Sequence, residues 1–131
     1  MAIVILDPKQ RVVGMAHIAL PESKTDVEKG KALPAYFVDT CIPYLLDLMR
    51  EKGSVPHPGL KIRLIGGATL MDSSDHFQIG KRNVTAIRKI LWANDLTIAS
   101  EDVGERISRT VSVELATGKV MVTSSGRRDT V

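Results

Sequence analysis

Two apolar runs open the chain. Met1 to Leu6 is rich in β-branched residues, Asp7-Pro8-Lys9-Gln10 has the composition of a turn, and Arg11 to Leu20 resumes the apolar pattern. Together they predict a β-hairpin. The second strand carries Gly14-Met15-Ala16-His17-Ile18-Ala19-Leu20-Pro21, with apolar residues on both sides of His17. Such a run predicts a strand buried on both faces, where an imidazole needs a partner or a task. A lone histidine in that setting is more often a hydrogen-bonded core residue than a functional one. The first strand starts at residue 1 with no polar lead-in, whereas chains usually enter a sheet from a solvated segment, so sequence upstream of it is expected.

Pro21 to Lys31 is polar and charged and predicts a mobile loop at the end of the His17 strand. The spacing of Val38, Ile42, Leu45, Leu46 and Met49 predicts a helix from about Tyr36 to Lys52, stopped by Gly53. Pro43 costs that helix little if Asp39 is its N-cap, and kinks it if the helix starts near Tyr36. Ser54 to Gly59, with His57 between two prolines, is a loop, and Leu60 to Ile65 is a strand running into Gly66-Gly67. Paired glycines bring bare backbone N–H groups to the sheet's end, which suits a tight turn or an anion site. After a polar loop from Met71 to Gln78, a helix over Ile79 to Asn94 buries Val84, Ile87 and Leu91 and carries Lys81, Arg82, Arg88 and Lys89 on a basic flank. Leu96 to Ala99 reads as a short strand and Glu101 to Gly104 as a turn. Two alternating segments, 109–114 and 119–123, flank Thr117-Gly118 as a second hairpin with one wet face, and 124–131 reads as a frayed tail. This order implies one α+β domain over 1–131, with helices covering a sheet.

Composition narrows the function more than the fold. A chain of 131 residues holds one domain with a core and no internal linker. Aromatic residues are only 4%, so aliphatic packing dominates. The net charge of +3 is slight, and with so few aromatics no base-stacking platform is visible, so no nucleic acid is expected as a partner. A single cysteine, Cys41, excludes an intramolecular disulfide and a thiolate zinc cluster and suits a reducing cytoplasm. No apolar run approaches the ~20 residues of a membrane span, and none is expected to insert. Asp72, Asp75 and His76 share one loop without a recognisable ligand spacing, so no metal and no other cofactor is expected.

Several segments, in order, resemble the chemoreceptor glutamine deamidases of the CheD family: Gly14 to Pro21, Asp39-Thr40 with Ile42-Pro43, Lys61-Ile62 with Ile65-Gly66-Gly67-Ala68 and Met71, Ile79-Gly80-Lys81-Arg82-Asn83, and Glu101-Asp102-Val103-Gly104 with Arg109-Thr110-Val111. Each alone is a weak signal; the ordered set covers nearly the whole chain. The resemblance implies a layered mixed β-sandwich flanked by helices and a cysteine-hydrolase type of site. It places the catalytic histidine at His17 and implies action on glutamine side chains of methyl-accepting chemotaxis receptors in the cytoplasm. It also implies a second possible partner, a CheC-type phosphatase. Gly66-Gly67 belongs to a recurring family motif, and the glycine geometry suggests an oxyanion or substrate-binding role for Gly66 and Gly67.

The pattern departs from the family at one decisive place. The nucleophile of the family sits in a Gly-Ser-Cys segment that would fall immediately before Met1, together with a threonine thought to assist. As given, the chain is therefore expected to be inactive. Three explanations stay open: a start downstream of the family's, a protein that has dropped the chemistry, or a relocated nucleophile. Cys41 is the sole candidate for the last, and a small packing residue in a helix is the plainer account of it. Glu105 and Ser108 stand where the family often has small residues, which would alter a substrate groove there.

Overall fold

The computed structural model describes residues 1–66, 79–104 and 109–124, and the backbone of 127–130. Strand β1 (Ala2–Asp7) lies inside a four-stranded sheet, flanked by β2 (Val12–His17) and β3 (Lys61–Gly66), with β4 (Ile98–Val103) beyond β3. β2 and β3 each run antiparallel to β1, and β4 runs parallel to β3, so the sheet is mixed. A second, antiparallel sheet of order β5-β6-β7 comprises β5 (Thr110–Glu114), β6 (Lys119–Ser124) and β7 (Arg127–Thr130).

Alternation along the strands sends side chains to two different cores. Ile3, Ile5, Ile62 and Leu64 face the helices, where they meet Cys41, Ile42, Leu45 and Met49 of α2 (Val38–Glu51) and Ile87 and Leu91 of α3 (Ile79–Ala93). Val4 and Ile65 point the other way and pack against Val120 and Val122 of the second sheet. The layers are therefore helices, mixed sheet and antiparallel sheet, the expected α+β sandwich flanked by helices. β1 is its spine, with Ile3, Val4 and Ile5 all 0% exposed.

Four expectations are corrected. The His17 strand is not buried on both faces, because β2 is the sheet's edge; Gly14 and Ala16 pack toward the helices, while Met15 is 53% exposed on the opposite face and His17 is exposed as well. The segment 101–103 is not a turn: it continues β4, since Leu64, Ile65 and Gly66 pair with Glu101, Asp102 and Val103. Residues 127–130 are not frayed but pair with β6. The loop predicted over Pro21 to Lys31 instead holds a helical turn at Ser23–Thr25 and most of α1 (Val27–Ala32), and a further turn follows at Pro34–Tyr36. Asp26 caps α1 by accepting from the Lys29 N–H at 3.1 Å, and Asp39 of α2 clasps Ser23 through its backbone N–H and its hydroxyl.

Helix α2 begins at Val38 after a Phe37 N-cap that offers no side-chain bond, so Asp39 is not the cap. Pro43 consequently lies inside the helix and withholds an N–H from the Asp39 carbonyl. The helix lies close on β2 because residue 14 is glycine: a β-carbon there would stand 2.9 Å from Leu45 Cδ1 and 3.0 Å from Met49 Sδ.

Candidate functional site

His17 ends β2 and pairs with Ala2, the first residue of β1. Ala2 is opposite Ile65, and Ile65 is opposite Asp102. Residues in register on neighbouring strands share a face, so His17, Ala2, Ile65 and Asp102 form one row across the mixed sheet. The row lies on the face that carries the second sheet, and at His17 that face is open to solvent. At the other end of the row Asp102 Oδ1 accepts from Arg109 Nε at 3.3 Å, and the Arg109 side chain is only 3% exposed.

The amino-terminal end of β1 is held from both sides at this level. Ile18 N–H donates to the Met1 carbonyl at 2.7 Å, and the Met1 amine donates to the Ile18 carbonyl at 3.2 Å. On the other flank Gly66 adopts φ +114°, and a β-carbon there would stand 3.1 Å from Met1 Cα. A side chain at 66 would therefore be strained twice, by the backbone angle and by contact with unyielding main chain. The Gly66 carbonyl is occupied by the Gly104 N–H at 2.8 Å. Thus His17 and Gly66 flank the entry to β1. Gly67 lies outside the described residues, as do Asp72, Asp75, His76, Glu105 and Ser108.

Cys41 is elsewhere. It is 0% exposed in the helix-side core, and burial pushes its thiol up to about 11. At neutral pH it is a protonated packing residue, which excludes it as a relocated nucleophile. Among the described residues no group of three His, Cys, Asp or Glu side chains could hold a metal ion.

Two features escaped the sequence pattern. Asn83 of α3 is 2% exposed and donates through Nδ2 to the Ala19 carbonyl at 3.1 Å, tying off the chain two residues past His17. At the far end of the hairpin, Asp7 is 0% exposed and accepts four hydrogen bonds. The Lys9 and Gln10 N–H groups reach Oδ1 at 3.1 Å each, while Ser54 Oγ and His57 Nε2 reach Oδ2 at 2.7 and 3.1 Å. His57 Nδ1 accepts from the Gly59 N–H at 3.0 Å, so Nε2 must carry the proton given to Asp7. Burial pushes the Asp7 carboxyl up, but the bonds from Ser54, Gln10 and His57 outweigh it and hold the group below its usual range. Ser54 touches the carboxylate and not the imidazole, so this cluster is a clamp joining the β1–β2 turn to the loop after α2.

Comparison with known proteins places this arrangement. Residues 19–124 match the family model described as CheD chemotactic sensory transduction. A protein of Syntrophotalea carbinolica named probable chemoreceptor glutamine deamidase CheD is 42% identical over 127 residues, covering 96% of this chain and 78% of that protein. One of Syntrophus aciditrophicus, named probable chemoreceptor glutamine deamidase CheD 1, is 41% identical over 125 residues, covering 95% and 78%. A Methanococcus maripaludis protein bearing the first of these names is 35% identical over 131 residues, covering 99% and 82%. With the family model spanning most of the sequence and relatives of this similarity matched along most of their own length, the chain that sets His17 across from the head of β1 belongs to the CheD family.

Proposed function

We propose that the protein deamidates glutamine side chains of methyl-accepting chemotaxis receptors, with His17 as the general base and a cysteine joined ahead of Met1 as the nucleophile. The observation that carries this is the pairing of His17 with Ala2, which sets the imidazole beside the head of β1 on a face open to solvent, next to the point where a residue ahead of Met1 would join. Neutral His17 takes the thiol proton, and the thiolate adds to the amide carbon. Collapse of the tetrahedral adduct breaks the C–N bond, and the imidazolium protonates the leaving nitrogen, so ammonia departs and a thioester forms. Water, deprotonated by the same imidazole, then cleaves the thioester to glutamate and thiol. No metal or other cofactor takes part. Gly66, on the opposite flank of β1 from His17, and Gly67 are the proposed source of backbone N–H groups for the oxyanion. Deamidation replaces a neutral amide with a carboxylate and so changes repulsion between adjacent receptor helices. The cytoplasm, where the receptor tails lie, is the proposed place of action; among the described residues no helix is long and apolar enough to cross a membrane.

The burial of Cys41 favours a second reading for the chain as given. With that thiol sealed in the core, the same fold serves as a non-catalytic partner of a CheC-type phosphatase. An ammonia-release assay on a glutamine-containing receptor fragment separates the two. Release from the chain extended upstream by Gly-Ser-Cys, and none from the chain starting at Met1, is expected. No release from either would leave only the binding role.

A further inference from the structure

A groove of about 340 Å³ lies between Pro21-Glu22, just after the His17 strand, and the outer face of α3, where it is lined by Lys81, Arg82, Thr85 and Lys89. Its charge is one-sided. On the same helix Arg88 is neutralised by Glu101, whose carboxylate it grips at 2.6 and 2.8 Å. By contrast, no carboxylate among the described residues comes within ion-pair distance of Lys81, Arg82 or Lys89. Among the described residues the one acidic group in the wall is Glu22, whose carboxyl is pulled below its usual range by Lys24 at 2.9 Å and, more weakly, by Arg82 and Lys89. One carboxylate already paired with Lys24 thus faces three groove cations, and the wall keeps a net positive charge toward solvent.

The groove is also fixed relative to His17. Asn83, between Arg82 and Val84 on α3, donates to the Ala19 carbonyl and so ties the helix to the chain just past the His17 strand. Pro21 is four residue steps beyond His17, which limits the distance between them to about 14 Å. About nine residues of a helix cover that span.

We propose that this groove docks an acidic segment of the partner that presents the reacting glutamine, placed within about two and a half helical turns of it. The inference rests on the deamidase reading and adds to it a charge-based selection of substrate. Carboxylates on the docked segment complete the ion pairs that Lys81, Arg82 and Lys89 lack, as charge complementarity across an interface requires. A glutamine flanked at that distance by acidic residues is bound better than one flanked by amides.

The test measures binding without turnover. Two fluorescent helical peptides of twenty residues carry the same glutamine; one has three glutamates around nine positions away, the other has glutamines there. Anisotropy with the full chain should show the glutamate peptide binding at least tenfold more tightly at low salt, with the advantage collapsing toward 0.5 M salt. Lys81→Glu with Arg82→Glu, both at exposed positions, should erase the preference while circular dichroism shows an unchanged fold. Equal affinity for the two peptides, or a preference that survives the charge reversal, overturns the proposal. So does tighter binding of random duplex DNA than of the glutamate peptide, lost in the same variant, which would assign the groove to nucleic acid. Ammonia release from the Gly-Ser-Cys-extended chain is scored separately: release without charge preference removes the groove alone, and charge preference without release removes the deamidase reading and leaves a binding groove.

Discussion

At the scale of single residues, exposure decides what His17 and Asp7 can do. His17 is solvent-exposed at a strand end, so His17→Gln should leave the melting temperature within a degree or two of the parent while lowering ammonia release by the Gly-Ser-Cys-extended chain ~10²–10⁴-fold. A comparable loss of stability would instead mark His17 as structural. Asp7 is the reverse case, buried and saturated with donors. Asp7→Asn turns an NH₂ group toward donors, and His57 cannot change tautomer without facing the Gly59 N–H with a proton of its own. A loss of about 2–3 kcal/mol is expected by urea unfolding. The carboxyl is held below its ordinary value of 3.8, so its contribution is fully present above that pH and disappears as pH falls through the lower folded value. The stability gap between parent and Asp7→Asn should therefore narrow below about pH 4, and a gap constant down to pH 2 would contradict the assignment. His17 was legible as the odd residue in an apolar run, but not its exposure, since alternation cannot tell an edge strand from a central one. Of the Asp7 clamp only the Asp-Pro turn showed, because Ser54 and His57 lie 47 and 50 residues further along.

At the scale of elements, α2 carries its own flaw. Pro43 is exposed, so its ring contributes little packing, yet it removes one hydrogen bond from the helix interior. Pro43→Ala gives the Asp39 carbonyl its donor and should raise stability by about 1–2 kcal/mol, less than the ~3 kcal/mol full proline penalty because alanine frees the unfolded chain. Unchanged or lower stability in urea would contradict this account of Pro43. The helical spacings of α2 and α3 were readable from their apolar positions because each buries one stripe against the mixed sheet. The segment after His17 was not, since its turns are held by Asp26 and Asp39, polar residues equally at home in an irregular loop. β4 was cut short for a similar reason: Glu101 and Asp102 are poor strand formers, tolerated on a sheet edge where Arg88 and Arg109 pair with them.

At the scale of the whole molecule, the mixed sheet separates two cores that share no side chain. Ile87 lies in the helix-side core and Val122 in the core between the sheets. With layers about 10 Å apart, these two residues stand roughly 20 Å from each other across the sheet. Ile87→Val should cost about 1 kcal/mol and Val122→Ala about 2 kcal/mol, each through a small unfilled volume. Because neither touches the other's partners, the double variant should lose the sum to within ~0.5 kcal/mol with an unchanged dependence on urea. A larger discrepancy would mean that strain passes through β1, whose Ile3 and Val4 face the two cores from adjacent positions. That outcome would bear on the site directly, since the same strand carries Ala2 beside His17, and packing on either face would then set the position of the residue that enters β1.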